Sequence, residues 1–452
     1  VNLYQRLRER QDNPVRVGII GAGKFASMFL AQARHTPGLH IMGVCDLDVG
    51  RARAALQRTG WTNEQISART FDEATRKGSI CLIDDAATLI TVDEMDVVID
   101  ATGDPVMGIR HALACIEARR HIIMVNVEAD VLAGPLLARR AREAGVVYAM
   151  AYGDQPALIV ELVDWARTTG FEVVCAGKGT KYLPEYHAST PDTVWRYYGL
   201  TPERAARGGM NPKMFNSFLD GTKSAIEMAA VANATGLTPP TEGLQFPPCG
   251  VDALPKVLKP RSEGGALQQK GMVEVISSQN RDGSPVERDL RWGVYVTFAA
   301  PSDYTAQCFS EYGLVTDDSG RYSALYRPFH LIGLELGVSV ASAALQGEAT
   351  GAAVDFAGDV VATAKRDLRA GEMLDGEGGY TVWGRLMPAA DSLALGGLPI
   401  GLAHGVKLKT AIGTNQPIRW RDVEIDETLQ AVRIRREMEA AFRPNAQTRA
   451  VH

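Results

Sequence analysis

The sequence predicts an α/β fold in three parts: a parallel sheet wrapped by helices, an α+β middle and a small β-rich end. Three observations lead there. The first 150 residues alternate continuous apolar runs with Ala/Arg-rich stretches, as strands buried on both faces require. A G-x-G-x-x-A phrase stands at the first strand-to-helix turn. The composition is that of a globular chain, with 46% hydrophobic and 22% charged residues, which excludes a disordered one. The 452 residues allow about three domains at roughly 150 residues each.

The first domain is expected over residues 1–151. Its strands are read at 15–20, 40–45, 95–101, 121–125 and 146–150, and helices at 48–59, 108–118 and 134–144. The second, over 152–325, carries a strand at 171–176, helices at 202–207 and 215–234, and paired strands at 272–277 and 292–299. A proline-rich stretch from Pro239 to Pro260 joins them; a loop that long either wraps another element or serves the site. Residues 326–352 read as a helix returning to the first domain, and 353–452 as a β-rich domain with a tail. No repeat of 20–50 residues shows, which argues against a solenoid.

Charge and cysteine usage narrow the class. Lys+Arg total 48 against 53 Asp+Glu, a net charge of −5, so the footprint of a general nucleic-acid binder is missing. Six scattered cysteines form no C-x-x-C pair, which suits a reducing compartment rather than a disulfide scaffold. Residues 1–14 are polar, with Arg6, Arg8 and Arg10, and do not read as a secretory signal. The apolar stretch near 330–345 is interrupted by Glu335 and serines, and reads as a packed core helix rather than a membrane span. The expectation is a cytoplasmic protein without membrane or nucleic-acid partners, working as a homo-oligomer on a small molecule.

The glycine phrase carries the most specific chemistry. Gly21 permits the tight turn, Gly23 lets the backbone approach a pyrophosphate, and Ala26 is small enough for close strand–helix packing. Lys24 and Phe25 open the helix whose N–H groups would meet the phosphates. Asp46 ends the second strand at the distance where an acid binds the ribose 2′-hydroxyl. These features define a Rossmann domain and a dinucleotide. Asp46 favours NAD, whereas Arg51 or Arg53 folded toward the ribose would favour NADP; both arginines also read as solvated helix face. Ala101, Thr102 and Gly103 end another strand at the carboxyl edge, where ligands bind, and Asn126 follows the next. Glu128 then lies where nicotinamide and substrate would meet, as an acid/base group or as a carboxylate favoured by a helix start.

The middle domain supplies cations. Lys178 and Lys181 lie in G-K-G-T-K, and Lys213, Asp220 and Lys223 in the stretch from Asn211 onward. Reducing a carbonyl requires positive charge or donors for the developing alkoxide, and a proton. Lysine supplies both. On a helix beginning near Asn216, Asp220 and Lys223 would share a face, and Asn211, Lys213 and Ser217 would suit a phosphate. Surface ion pairs and a helix cap are the plainer alternative.

These residues also carry a resemblance. Gly21-Ala-Gly-Lys24, Val125-Asn-Val-Glu-Ala-Asp130, Gly153-Asp-Gln-Pro156, Ala176-Gly-Lys-Gly179 and the stretch from Asn211 to Lys223 resemble homoserine dehydrogenase. They resemble more closely its branch of reductoisomerase-like proteins, which includes the type II 1-deoxy-D-xylulose 5-phosphate reductoisomerase (DXR-like) enzymes. From about Asp359 the chain looks like a SAF domain, most clearly from Ala364 to Glu372. The resemblance implies NAD(P)-dependent oxidoreduction of a small polar carbonyl or hydroxy compound, phosphorylated or not. Its reductoisomerase form adds a divalent metal, for which Asp154, Glu128 and Asp220 are candidate ligands without a metal-spacing motif. Homoserine dehydrogenases carry a lysine where this chain has Val127, which counts against homoserine as substrate. The alternatives are a dehydrogenase of another hydroxy or sugar acid, and a nucleotide-binding sensor without catalysis.

Overall fold

The computed structural model describes residues 2–443. Val1 and residues 444–452, the outer ends of the divisions expected at 1–151 and 353–452, lie outside the described residues. Two compact units divide the chain: one runs up to Leu158 and adds His330–Val354, the other holds Ile159–Phe329 and the described residues from Asp355 onward.

The first unit is built on a six-stranded parallel sheet of β1 (Val15–Ile20), β2 (Leu39–Cys45), β3 (Cys81–Ile83), β4 (Val97–Asp100), β5 (His121–Met124) and β6 (Tyr148–Met150). Its order is β3-β2-β1-β4-β5-β6, so the direction of winding reverses between β1 and β4. That reversal opens the crevice in which such sheets bind ligands. Val17, Ile19, Val97 and Ile99 are at most 1% exposed. Full burial of such side chains stabilises by about 1.5–3 kcal/mol each. The helix Gly337–Gln346 joins this core through Val340, Ala341 and Ala343. It is shorter than the stretch 326–352 read as helical, because Tyr322–Arg327 is strand and Leu336 is the helix N-cap.

The second unit carries a sheet of order β10-β9-β7-β8, made of β7 (Glu172–Thr180), β8 (Met272–Ser277), β9 (Val294–Ala299) and β10 (Tyr322–Arg327). β7 pairs parallel with β8 and antiparallel with β9. The proline-rich stretch runs beside β8, bridging at Thr238–Met272 and Pro248–Ser277. It covers an edge that would otherwise present unpaired backbone groups. The C-terminal part forms two small antiparallel sheets from β11 (Gly358–Ala364), β12 (Met373–Asp375), β13 (Val382–Pro388), β14 (His404–Leu408) and β15 (Val423–Glu424).

One expected helix is two. The segment read as helical over 215–234 divides into Pro212–Leu219 and Thr222–Thr235. Asp220 caps the end of the first, and Gly221 turns the chain at φ +88°, a left-handed conformation that favours glycine. Asp220 and Lys223 therefore do not share one helix face.

Candidate active site

The glycine turn is built as its sequence requires. Gly21 has φ +94°, and a Cβ there would lie 2.7 Å from the carbonyl oxygen of Ala101. Any other residue would push β1 and β4 apart. Gly23 caps the helix Lys24–Ala33 with no side-chain hydrogen bond, and no heavy atom lies within 4 Å of where its Cβ would be. An uncapped helix start under open space is a cradle for a pyrophosphate, so these residues fit a dinucleotide. Lys24 is exposed and Phe25 half-buried at the mouth of the turn.

Asp46 is less available than its position suggests. Its carboxylate accepts the N–H groups of Ala22 (2.7 Å) and Asp48 (2.9 Å), and the Arg51 guanidinium (2.6 Å). Burial works to raise its pKa, but these donors outweigh it and hold the carboxyl below the usual range. Its side chain is 2% exposed, against 62% for Arg51. Asp46 thus clasps the glycine turn to the loop after β2, and Arg51 is the group facing solvent.

At the ends of β4 and β5 the structure brings Thr102 and Asn126 into one hydrogen-bonded neighbourhood, with Gly103 next to Thr102 in the chain. Asn126 caps the helix Val127–Ala144, accepting from the N–H of Ala129 (3.1 Å) and donating to the carbonyl of Asp104 (2.7 Å). Thr102 and Gly103 are exposed and Ala101 half-buried. Glu128 lies half-buried in the first turn of that helix.

The lysines of the second unit are less open than the sequence suggested. Lys178, on β7, is buried and ion-paired with Glu227 of the helix Thr222–Thr235. Lys181 donates to the carbonyl of Tyr197, and burial, with Arg291 nearby, lowers its pKa. Lys213 donates to the carbonyl of Asp375 (3.0 Å), and Ser217 to Glu377. The start of the helix Pro212–Leu219 is closed by Asn211, whose side chain accepts the N–H groups of Lys213 and Met214. The expected phosphate seat of Asn211, Lys213 and Ser217 is therefore corrected: Asn211 caps its own helix, and Lys213 and Ser217 hold the C-terminal segment. Asp220 does meet a lysine, but it is Lys365 at 2.7 Å, not Lys223. Of residues 222–233, Lys223 alone is not buried, and it lies one turn before Glu227.

Several groups escaped the sequence reading. Glu227 follows Lys223 at i+4, a signal that was available. His187 donates from Nδ1 to the carbonyl of Asp220 (2.7 Å) and accepts at Nε2 from the Tyr182 hydroxyl (2.9 Å). Burial lowers its pKa. Trp383 stacks on it at 3.9 Å. Tyr182 is five residues away, but nothing in local sequence joins His187 to Asp220 or Trp383. Among the described residues, no group of three or more His, Cys, Asp or Glu side chains is arranged to hold a metal ion. No helix among them is long and apolar enough to cross a membrane.

The sheet and the glycine cradle build a Rossmann domain that fits a dinucleotide, and two family models, both of oxidoreductases, match parts of the chain. Residues 15–150 match the GFO_IDH_MocA model, described as the oxidoreductase family, NAD-binding Rossmann fold. Residues 153–336 match the model of the catalytic domain of oxidoreductase DRL. No curated protein matches the sequence. Similar solved structures include an oxidoreductase domain protein from Kribbella flavida, at 18% identity over 38% of this chain and 43% of that one, TM-score 0.27. The myo-inositol dehydrogenase of Lactobacillus casei is 14% identical over 40% and 50% of the two chains, TM-score 0.28. The WlbA dehydrogenase of Bordetella pertussis is 17% identical over 43% and 52%, TM-score 0.28. This chain spans about half the length of each.

Proposed function

We propose that the protein transfers hydride between a nicotinamide coenzyme and a small polar carbonyl or hydroxy compound, with Lys223 as the proton-exchanging group. One observation carries this reading. Lys178 is buried and ion-paired with Glu227 of the helix Thr222–Thr235, and the half-buried Lys223 lies one turn before Glu227 on that helix. A lysine there can donate a proton to an oxygen on which negative charge develops.

The bound coenzyme supplies or accepts the hydride. In reduction, the carbonyl carbon gains that hydride, and the C=O π pair moves onto oxygen. Lys223 gives its proton to that oxygen, completing the hydroxyl, and regains one from water. Glu227 pairs with Lys178 and holds it in place. Oxidation runs the same steps backwards.

The narrower reading, a sugar-phosphate reductoisomerase with a divalent metal and a SAF-like end, rests on the sequence resemblance. Following NADPH and NADH absorbance against a panel of sugar phosphates and hydroxy acids tests substrate class and phosphate preference together. Lys223→Ala is expected to lose at least a hundredfold in turnover while keeping coenzyme affinity, since acid–base catalysis contributes about 10²–10⁴-fold. Unchanged turnover in this variant removes Lys223 from the chemistry.

A further inference from the structure

A second buried pair lies behind the coenzyme crevice. Asp100 ends β4 and is 0% exposed; His111, on the helix Pro105–Glu117, is 5% exposed. Asp100 Oδ2 lies 2.5 Å from His111 Nδ1. Asp100 Oδ1 accepts from both the N–H (3.2 Å) and the hydroxyl (2.9 Å) of Thr102. The Thr102 hydroxyl in turn lies 3.4 Å from Asn126 Nδ2, which also donates to the Asp104 carbonyl. One carboxylate thus ties the exposed loop after β4 to the middle of the helix Pro105–Glu117, and Asn126 joins that loop to the starts of this helix and the next.

The location gives this network a task. The ribose-side acid, Asp46, follows β2, and the pyrophosphate cradle follows β1. A dinucleotide laid across the switch point must place its other half beyond β1, over the ends of β4 and β5. Thr102, Gly103 and Asn126 stand there. A loop that positions a reacting ring needs support from behind, because small misplacements weaken both binding and chemistry.

We propose that Asp100 and His111 are positioning residues for the nicotinamide half of the coenzyme, acting through Thr102 and Asn126. This rests on the coenzyme reading above. Binding titrations with NADH, NADPH and ADP-ribose test it, because ADP-ribose keeps the adenine half and the pyrophosphate but lacks nicotinamide. His111→Ala and Asp100→Asn are expected to weaken the better-bound reduced coenzyme at least tenfold, with ADP-ribose affinity held within twofold. His111→Asn, which can place a side-chain N–H near the position of Nδ1, is expected to restore the coenzyme to within threefold of the parent. Thr102→Val, a change on the exposed loop, makes the same comparison should Asp100→Asn fail to fold. A parallel loss for coenzyme and ADP-ribose shows a general structural role and overturns the proposal, as does unchanged coenzyme affinity in His111→Ala. If the parent protein binds none of the three ligands, the coenzyme reading itself fails and this inference falls with it.

Discussion

The Lys365 ammonium lies 2.7 Å from the Asp220 carboxylate, and neither side chain is more than 2% exposed. The ammonium also donates to the carbonyls of Ser189 (2.7 Å) and Gly379 (2.8 Å). Asp220 Oδ1 accepts the N–H of Thr222 at the start of the following helix. A residue of the β-rich C-terminal segment therefore neutralises a carboxylate at the junction between the two helices carrying the site candidates. Lys213, Asn216, Ser217 and Thr222 bind the same segment, through Asp375, Gly378, Glu377 and Gly384.

Removing one partner of such a pair leaves a buried charge uncompensated, which costs about 3–5 kcal/mol. Lys365→Met is expected to lower stability by that amount in urea unfolding. Lys365→Met with Asp220→Asn should recover a large part of it, since the exposed fault is the lone carboxylate. A loss below about 1 kcal/mol in the single variant would mean that the pair does not anchor the segment.

The legible part of the fold follows from local rules. The alternation of apolar runs and helices in the first unit, the glycine turn and Asp46 are short-range patterns, and their physical reasons act within one strand–turn–helix unit. The second unit is settled by long-range ties. Lys213 looked like a phosphate ligand because a lysine beside a helix start suits one, yet its partner is the carbonyl of Asp375, 162 residues away. Asp220 and Lys223 looked like one face because the apolar pattern runs through Gly221, whose left-handed backbone ends the first helix. Asp100 and His111 lie only 11 residues apart, but a strand end and a helix face had to be placed before they could be paired.

Glu274 predicts a pH dependence. It is fully buried on β8, and burial pushes its carboxyl up to about 7, although the N–H groups of Val275, Gln245 and Phe246 pull the other way. The folded state binds this proton more tightly than the unfolded chain, whose glutamate titrates near 4.3. Its contribution to stability is thus most favourable below about pH 4.3 and is lost as pH rises through about 7, by about 4 kcal/mol. Glu274→Gln should flatten that limb of the stability profile between pH 5 and 8. An unchanged profile in the variant would assign the limb to another group.

Asp130 offers a stabilising substitution. Its Oδ1 accepts the Tyr148 hydroxyl at 3.0 Å, while Oδ2 is buried without a hydrogen-bond partner. Burial raises its carboxyl to about 6, partly opposed by Tyr148. The cost of ionisation grows from about pH 4 to 6 and is fully present above it. Asp130→Asn is expected to raise the thermal midpoint at pH 8 by several degrees and to change it little at pH 4. The side chain also fills the space beside Gly134, where a Cβ would fall 2.3 Å from Oδ1, so Asp130→Ala leaves a void and should not stabilise. Equal effects of the asparagine variant at both pH values would remove ionisation as the cause.

Arg51 is expected to decide between the two coenzymes. Had Asp46 offered its carboxylate to the ribose, a 2′-phosphate would meet a negative charge. Instead the carboxylate is turned onto Ala22, Asp48 and Arg51, and the guanidinium is what solvent meets at the end of β2. A guanidinium presents several donors in a plane and pairs well with phosphate oxygens. Arg51→Ala is expected to weaken NADPH about tenfold, equivalent to about 1.4 kcal/mol, and to leave NADH within about threefold. The loss should shrink at high salt, because an exposed charge pair is screened. If NADH and NADPH weaken equally, Arg51 acts only by holding Asp46, and the 2′ position is read elsewhere.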